Sequence, residues 1–426
     1  MTQQINQKRL FYASCFALIT TAFSFSIRAG ILPQLANDFG LTAEQLGYIN
    51  SMWFFGFPIA MIIGGLVYHS VGPKRIMMFA FVSHTLGILL TIYADGYTSL
   101  LISTFFIGLG NGCTEAACNP MIADMYSGHH MNKMLNRFHM WFPGGIFLGS
   151  LVSAFMTAGG LFGVTVLETG FPWQAQIWLI MIPTVIYAIL FFGQRFPQAH
   201  VAEATSLAQN FKAMFTPLFI FIFLFMFLTA ITEFGPQQWV GVIMGNSGAN
   251  PMLILALTTG LMAVGRYFAG PLVHKIDQTG VLLGSAIFAT IGIYLFSTQT
   301  GAMAYVAAIF FAIGVCYFWP TMLGVVAQHV PLSGALGLSI VGGAGMFSSF
   351  LFQPIIGRWI DTERAVKTAS GLTGEAMELA AGQATLLRMT TFPIILIVAF
   401  TVLFFVMRKR KATAEAEEKV LQQPVL

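Results

Sequence analysis

The chain has 426 residues, of which 57% are hydrophobic and only 8% are charged, and its formal net charge is +4. Soluble globular domains carry about 25% charged residues, so this composition excludes a soluble fold and predicts an integral membrane protein. The four cysteines lack metal-ligand spacing, and no phosphate-binding loop, nucleotide fingerprint or Ser-His-Asp spacing occurs. We therefore predict no enzyme, no metal, no cofactor and no nucleic-acid partner.

Apolar runs of spanning length, about 20 residues each, recur along the chain. They predict twelve helices, near 10–33, 45–69, 76–94, 98–124, 134–157, 172–194, 214–244, 250–273, 279–297, 301–327, 333–358 and 387–407. A polar stretch after the sixth run divides them, which predicts an N-terminal bundle at 1–194, a linker at 195–213, a C-terminal bundle at 214–407 and a tail at 408–426. Two sets of six are typical of a transporter with two similar halves. The predicted fold class is an all-α membrane protein with two pseudo-symmetric six-helix bundles.

Basic residues fall on alternate loops, and this predicts the orientation. Lys74 and Arg75, to which we assign a gating role, follow the second span, and a basic cluster at 408–411 follows the twelfth. The positive-inside rule then places both termini in the cytoplasm, in a multi-pass protein of the plasma membrane (the inner membrane of a bacterium). The mixed loop at 359–386 is the exception, and a short surface helix is expected there at 374–387. We expect the chain to act as a monomer.

A carboxylate lies deep in the fourth predicted span. Glu115 sits within the apolar run 100–125, and Asn119 follows it by four residues, so both side chains share one helix face. A carboxylate that faces lipid is costly, so this face is expected to line a water-filled path. We predict that Glu115 carries the coupling proton and that Asn119 contacts the solute. The alternative is a buried carboxylate that serves packing only.

The first span contains a charged residue of the opposite sign, Arg28. Its guanidinium is a fork suited to a carboxylate or a phosphate. We predict that Arg28 binds an anionic group of the solute, or holds Glu115 until solute or a proton arrives. The alternative is a permanent Arg28–Glu115 ion pair, or an arginine that extends to the lipid headgroups.

The fifth span opens with polar residues. Asn136 and His139 are three residues apart on one face, and we predict that both contact the solute. A histidine that only packs between helices is an equal alternative. Arg137 lies near the predicted cytoplasmic end, where we expect it to pair with Asp124 or with lipid phosphates in a structural or gating role.

The second half has a polar set of its own in the seventh span. Glu233, Gln237, Gln238 and Trp239 surround a Gly-Pro kink and combine hydrogen-bonding groups with a flat ring, as a solute site requires.

Two further residues extend this set. Tyr317 in the tenth span is predicted to contact the solute, with an interfacial aromatic as the alternative. Arg266 in the eighth span is assigned a structural or gating role. Glu233 either contacts the solute or forms a structural pair with Arg266.

Several of these residues carry a family resemblance. The fourth span reads Gly-Cys-Thr-Glu-Ala-Ala-Cys-Asn-Pro at 112–120, which is similar to the G-x-x-E-T-A-A-N-P motif of the L-fucose:proton symporter branch of the major facilitator superfamily. The stretch 135–144 resembles that branch's R-L-N-L-A-Q-S-F-N-P-x-G, and the stretch 265–267 resembles its G-R-F. Glu233 followed by Trp239 resembles the acid and tryptophan of its seventh span. The resemblance implies a twelve-helix transporter.

The chain departs from that branch in the first span. Ala29 stands where the branch has an aspartate, and Arg28 precedes it. An arginine in the first span with Glu115 in the fourth resembles the sugar-acid carriers of the superfamily's organic-anion branch. That resemblance implies a carboxylate-bearing substrate, and it leaves Glu115 as the main proton carrier.

These observations predict proton-coupled symport of a small hydrophilic solute, a sugar or a sugar acid, across a lipid bilayer by alternating access. Two alternatives remain open. One is a proton-driven exporter of amphipathic compounds or lipids, which the abundance of Phe and Met would suit. The other is a membrane sensor that binds solute without transporting it.

Overall fold

A computed structural model describes residues 5–126, 128–161, 164–197 and 207–421, and these are helical almost throughout. We refer to the helices before residue 197 as the N-terminal half. They are α1 (Gln7–Phe39), α2 (Ala43–Val71), α3 (Pro73–Ile92), α4 (Tyr97–Met125), α5 (Gly128–His139), α6 (Trp141–Ala158) and α7 (Trp173–Phe191), with a two-stranded antiparallel hairpin of β1 (Gly160–Leu161) and β2 (Val164–Thr165) between α6 and α7.

The remaining helices form the C-terminal half. They are α8 (Leu207–Met214), α9 (Pro217–Ile243), α10 (Pro251–Tyr267), α11 (Ala269–Thr298), α12 (Met303–Val315), α13 (Phe318–His329), a 3-10 turn (Pro331–Ser333), α14 (Gly334–Ala369), α15 (Gly374–Met389) and α16 (Thr391–Leu421).

The helical spans confirm the predicted all-α membrane fold. Within the described residues, eleven helical stretches are long and apolar enough to cross a bilayer, and α10 is a shorter apolar helix at the place of the eighth predicted span. The fifth, tenth and twelfth predicted spans each consist of two successive helices. Asp277, with a φ of 59°, makes the turn inside α11 that separates the eighth predicted span from the ninth.

Three segments differ from the sequence-based expectation. The predicted tail at 408–426 continues α16 as far as Leu421, and the predicted linker contains α8, while residues 198–206 and 422–426 lie outside the described residues. The predicted loop at 359–386 is reduced to a turn at 370–373. The expected helix is present as α15, but it leads straight into the last span and buries Leu386 and Met389. An ion pair of 2.8 Å between Arg364 and Glu378 joins this helical hairpin, which explains its mixed charge.

The chain crosses the bundle repeatedly, so its helix ends fall on two faces. We call the face with the first residue of α1 the terminal face and the other the opposite face. At the opposite face, α1 ends at Gly40, which has a φ of 61°, and α2 begins with Thr42 as its N-cap in a reciprocal hydrogen-bonded box with Gln45. This tight connection holds the start of α2 against the C-terminal half.

The two halves are in close contact at the opposite face. We define the α2–α14 seam by Ala43, Gly47 and Asn50 of α2 and by Gln353, Gly357 and Asp361 of α14. A side-chain carbon at Gly47 would lie 2.5 Å from the carbonyl oxygen of Gln353, and one at Gly357 would overlap the backbone of Ala43. The two glycines therefore permit direct backbone packing between the halves.

Polar groups seal the same seam at its end. The Asp361 carboxylate accepts hydrogen bonds from the backbone N–H groups of Ala43 (3.0 Å) and Glu44 (2.8 Å), and so caps the first turn of a helix in the other half. Arg358 forms an ion pair of 2.6 Å with Glu44. The path between the halves is closed at the opposite face in this conformation.

Candidate functional site

The arginine of the first span connects the two halves. Arg28 is buried on α1, with 6% of its surface exposed, and its Nε and Nη2 atoms donate to Oε1 of Gln238 on α9 at 3.2 and 2.7 Å. The Gln238 amide donates in turn to the carbonyl oxygen of Phe25 (3.1 Å). The guanidinium carbon lies 5.1 Å from the ring centre of Trp53 and 5.8 Å from that of Phe54. Two aromatic faces and one amide therefore hold the buried cation.

Only one edge of the Arg28 guanidinium is occupied by this arrangement. Gln238 takes the edge formed by Nε and Nη2, and no described residue accepts a hydrogen bond from Nη1. A guanidinium binds a carboxylate best through two parallel N–H groups. The edge formed by Nη1 and Nη2 is therefore free to bind a carboxylate.

Rings from both halves surround this arginine. Phe25 contacts Trp53, Phe54, Phe142 and Phe234 at centroid distances between 5.7 and 6.3 Å. Phe234 extends the contact to Trp319 of α13 at 6.0 Å. We call these six rings the aromatic cluster. Phe142 and Trp319 are its partly exposed members, whereas the other four are buried, so the cluster borders accessible space with one ring from each half.

A chain of hydrogen bonds fixes the orientation of Trp53. Tyr187 Oη lies 3.0 Å from Nδ1 of His84, and Nε2 of His84 lies 2.9 Å from Oδ1 of Asn111. Asn111 Nδ2 (3.3 Å) and Trp53 Nε1 (2.9 Å) both donate to Ser24 Oγ. All five side chains are buried. Because Asn111 donates to Ser24 through its amide nitrogen, its oxygen accepts from His84, which is therefore protonated on Nε2 and accepts from Tyr187 on Nδ1.

Sequence reasoning did not identify most of these hydrogen-bonded side chains. Trp53 and Asn111 were not selected, and His84 looks structural from the sequence alone. Asn111 could have been found, because it lies four residues before Glu115 on the same helix face. Nothing in the sequence connects His84 to Arg28, since the connection passes through three other helices.

Glu115 lies at a different level from Arg28. Its Oε2 accepts a hydrogen bond of 2.6 Å from Asn119 Nδ2, and both side chains are partly exposed. Arg28 follows Ser24 by one turn toward the opposite face, and Glu115 follows Asn111 by one turn toward the terminal face. With a rise of about 1.5 Å per residue, the backbone positions of the two residues lie about 12 Å apart along the helices. The expected direct contact between Arg28 and Glu115 is thus absent from this conformation, because Arg28 bonds to Gln238 instead.

The predicted residues of the fifth span lie near the terminal face. Asn136, Arg137 and His139 are all exposed on α5, which ends one turn before Phe142 of the aromatic cluster. The structure does not bring Asn136 or His139 to Arg28.

The other gating candidates also lie toward the terminal face. Asp124 accepts a hydrogen bond of 2.8 Å from the hydroxyl of Tyr68. Lys74 and Arg75 are exposed in the first turn of α3.

The polar set of the C-terminal half is divided. Glu233 is buried and forms an ion pair with Arg266 at 3.5 Å, and Arg266 Nε also donates to the carbonyl oxygen of Cys316 (3.0 Å). The pairing that the sequence left open is therefore present. The hydroxyl of Tyr317 donates to the carbonyl oxygen of Gly265 at 3.1 Å.

Of the remaining residues in α9, only Gln238 reaches Arg28. Gln237 has a weak contact of 3.6 Å with the sulfur of Met262, and it borders a small cavity inside the C-terminal half together with Val240 and Thr258. Trp239 is fully buried, and its indole N–H has no partner among the described residues. In this conformation neither side chain contributes to the surroundings of Arg28.

Comparison with known proteins identifies the family. The sequence profile of the Major Facilitator Superfamily matches residues 14–338. The hexuronate transporter of Bacillus subtilis (strain 168) is 28% identical over 177 residues, which are 41% of this chain and 39% of that protein. The L-fucose-proton symporter of Escherichia coli (strain K12) is 27% identical over 176 residues, 39% of this chain and 37% of the relative.

A third relative, the probable 4-methylmuconolactone transporter of Cupriavidus pinatubonensis (strain JMP 134 / LMG 1197), is 24% identical over 213 residues, 50% of this chain and 48% of that protein. The matched stretch thus spans about half or less of each of these curated relatives. The structure of a bacterial homologue of the human lysosomal transporter Spinster aligns with a TM-score of 0.77 over 95% of this chain and 98% of that chain, at 15% identity, and shows the same fold.

The resemblance to L-fucose and sugar-acid carriers is confirmed by these relatives, and all of them are transporters rather than enzymes. Because the family profile covers more than half of the sequence, this chain belongs to the Major Facilitator Superfamily.

Proposed function

We propose that the protein is a proton-coupled symporter of a small organic anion, working by alternating access between the two halves. The observation that carries the proposal is Arg28: a buried guanidinium, bonded across the halves to Gln238 on one edge and free on the other. A buried charge is retained in a membrane protein at considerable cost, so a functional role is its default interpretation. We also propose that one chain in the bilayer suffices, with its terminal face toward the cytoplasm.

Binding of the anion is coupled to movement through Gln238. When the solute carboxylate takes the free edge of Arg28, it neutralises the cation that the Gln238 oxygen stabilises. The bond between α1 and α9 then weakens, because the Gln238 oxygen and the solute carboxylate share Nη2 and the positive charge of the guanidinium. Solute binding thus changes the energy of a contact that joins the two halves.

Proton coupling follows from charge balance. With solute bound, Arg28 and the carboxylate form a neutral pair, so Glu115 must be protonated before the terminal face can close over it. With solute absent, Arg28 and an ionised Glu115 again sum to zero. States with one unpaired charge are disfavoured, since burying an isolated charge is costly. For a monocarboxylate and one titrating acid, this scheme gives electroneutral transport of one proton with each anion.

The arginine favours an acid over a neutral sugar among the solutes that the sequence suggests. A neutral sugar would leave the cation unpaired in the occluded state. The solutes for which these relatives are named, a hexuronate, L-fucose and 4-methylmuconolactone, include both acidic and neutral compounds. We therefore propose that this chain belongs with the carriers of acids.

The test uses the full chain in proteoliposomes with radiolabelled galacturonate and benzoate as probes. We expect accumulation with an inward proton gradient, and no accumulation with a membrane potential alone. Arg28→Gln should abolish binding of both probes, whereas Arg75→Gln, which changes an exposed arginine, should not. Uptake driven by potential alone would contradict the charge scheme. Absence of any gradient-dependent uptake, together with efflux of amphipathic dyes, would favour an exporter instead.

A further inference from the structure

We infer that the solute is a carboxylate borne on a flat, largely apolar ring, such as a benzoate-like or pyridinecarboxylate-like anion, rather than a polyhydroxylated sugar acid. The inference rests on the proposed function, and it specifies which class of acid Arg28 receives. The observation behind it is the placement of a buried arginine against a continuous group of six rings drawn from both halves.

The aromatic cluster supplies flat apolar surface next to the Arg28 guanidinium. The Arg28 guanidinium lies over Trp53 and Phe54, and these rings contact Phe25 and Phe234 in turn. The partly exposed members, Phe142 and Trp319, border accessible space on the two sides of the interface. Aromatic rings prefer tilted or edge-to-face contacts with another ring, and such contacts add to simple burial.

The side chains that hydrogen-bond to Arg28 or orient Trp53 are already engaged. Both amide atoms of Gln238 and both of Asn111 take part in hydrogen bonds. Ser24 accepts from Trp53 and Asn111 and donates to the carbonyl oxygen of Thr21. A sugar acid carries several hydroxyl groups, and each would have to break one of these bonds or be buried without a partner, which is unfavourable. A flat apolar ring leaves the whole set intact.

The residues suited to hydroxyl groups lie elsewhere. Asn119 is about two helical turns from the level of Asn111, and Asn136 and His139 are exposed on α5. Gln237 borders a cavity inside the C-terminal half and contacts Met262. None of these predicted residues therefore lies beside a sugar ring whose carboxylate is bound at Arg28.

The test is a titration of five probes into the purified full-length protein: benzoate, nicotinate, nicotinamide, cyclohexanecarboxylate and galacturonate. We expect benzoate and nicotinate to bind at least about tenfold more tightly than galacturonate, since a few unpaired hydroxyl groups would cost that much. Nicotinamide should bind weakly because it lacks the charge, and cyclohexanecarboxylate because its ring is not flat.

Substitutions distinguish the contribution of the ring surface to binding from that of the arginine. Trp319→Leu and Phe142→Leu should each weaken benzoate binding by about threefold to tenfold, without weakening galacturonate binding. The matched control is Phe288→Leu, which changes a stacked but partly exposed ring of α11 away from the site.

Three outcomes overturn the inference while leaving the proposed function intact. One is Arg28-dependent binding in which galacturonate binds more tightly than benzoate. Another is binding of cyclohexanecarboxylate as tight as that of benzoate. The third is unchanged benzoate affinity in both ring variants. If no carboxylate binds, or if Arg28→Gln leaves every affinity unchanged, the proposed function itself fails, and the inference fails with it.

Discussion

The two ends of the interface between the halves are held by different physical interactions. At the opposite face, the α2–α14 seam packs backbone against backbone at Gly47 and Gly357, and Asp361 caps a helix of the other half. Toward the terminal face, Glu115 and Asn119 remain partly exposed on α4. The opposite face is closed by close backbone packing, whereas Glu115 remains accessible toward the terminal face.

This difference indicates what each movement requires. The α2–α14 seam can separate and rejoin without any change in protonation, because its surfaces are mostly apolar or neutral. The terminal face cannot close over an ionised Glu115 without a large desolvation cost, so closing is tied to protonation or to an opposite charge. In the proposed cycle, a proton gradient acts on the second end, and the solute acts on the contact between Arg28 and Gln238.

The largest expected effect comes from filling the α2–α14 seam. Gly47→Leu places a side chain against the backbone of Gln353, which cannot move aside as a flexible side chain would. Overpacking costs about 1–3 kcal/mol even where neighbours adjust, so we expect closure to be disfavoured by at least about a hundredfold. Solute uptake in proteoliposomes should be lost, while solute binding persists.

The control for this variant lies in the same helix. Gly65 has no atom near the position of an added side chain, so Gly65→Leu should transport normally. Retained binding and an unchanged unfolding temperature show that Gly47→Leu still folds. Normal transport by Gly47→Leu would mean that tight closure at the α2–α14 seam is not part of the cycle.

The next effect concerns the open end. Glu115→Gln cannot release a proton, so we expect it to exchange labelled for unlabelled solute across the membrane while losing the roughly tenfold accumulation that one pH unit can sustain. The measurement is counterflow compared with gradient-driven uptake. Glu375→Gln, an exposed acid at the start of α15, serves as the control. Accumulation retained in Glu115→Gln would transfer proton coupling to Glu233 or His139.

Hydrophobic periodicity was sufficient to predict the spans, because each needs about 20 apolar residues and little else. The same reasoning selected Arg28, Gln238 and Glu115, since a charged or amide side chain in an apolar run is conspicuous. It could not pair them correctly. Gln238 is 210 positions from Arg28 and lies in the other half, so only the tertiary arrangement brings them together.

The α2–α14 seam could not be predicted from the sequence either, because its residues also meet only through the tertiary arrangement. Asn50 and Gln353 are single amides in apolar helices, and nothing local shows that both will face the same contact. His84 is similar: its importance depends on two partners in other helices, Asn111 and Tyr187. The roles assigned to Asn119, Asn136, His139 and Tyr317 stay predictions.

A smaller effect tests the amides in the closed α2–α14 seam. Asn50 and Gln353 are fully buried, and the amide atoms of both lack partners among the described residues. An unpaired buried amide costs about 1–3 kcal/mol, and it regains water when the halves separate. Asn50→Leu should therefore stabilise the closed seam by about tenfold in population. The control is Ser51→Ala, whose hydroxyl bonds within its own helix.

The measurement for this variant is the distance between spin labels at positions 93 and 303, which are exposed near the opposite face in the two halves. The four native cysteines are buried, which favours selective labelling. We expect a larger fraction of short distances in Asn50→Leu than in the unsubstituted protein. A shift toward long distances would show that these amides find partners in the closed state.

The smallest expected effect comes from comparing two charged residues at the α2–α14 seam, the helix-capping Asp361 and the exposed Arg358. Asp361→Asn keeps one acceptor oxygen, so it loses the hydrogen bond from the backbone N–H of either Ala43 or Glu44. It also removes the negative charge from the positive end of α2, a term of about 0.3–1 kcal/mol. The labelled pair should then show a shift toward the open seam of at least about twofold to fivefold. Arg358 contributes less, because its side chain is 61% exposed and an exposed ion pair is typically worth about 0–1 kcal/mol. Arg358→Gln should thus shift the distances by less than Asp361→Asn. The Asp361 carboxylate bonds to backbone N–H groups that become exposed to water only when the halves separate. Arg358 only reinforces an exposed ion pair, which hydrogen bonds to water can replace. The reverse order would assign the closure of this end to its surface charges instead of its helix cap.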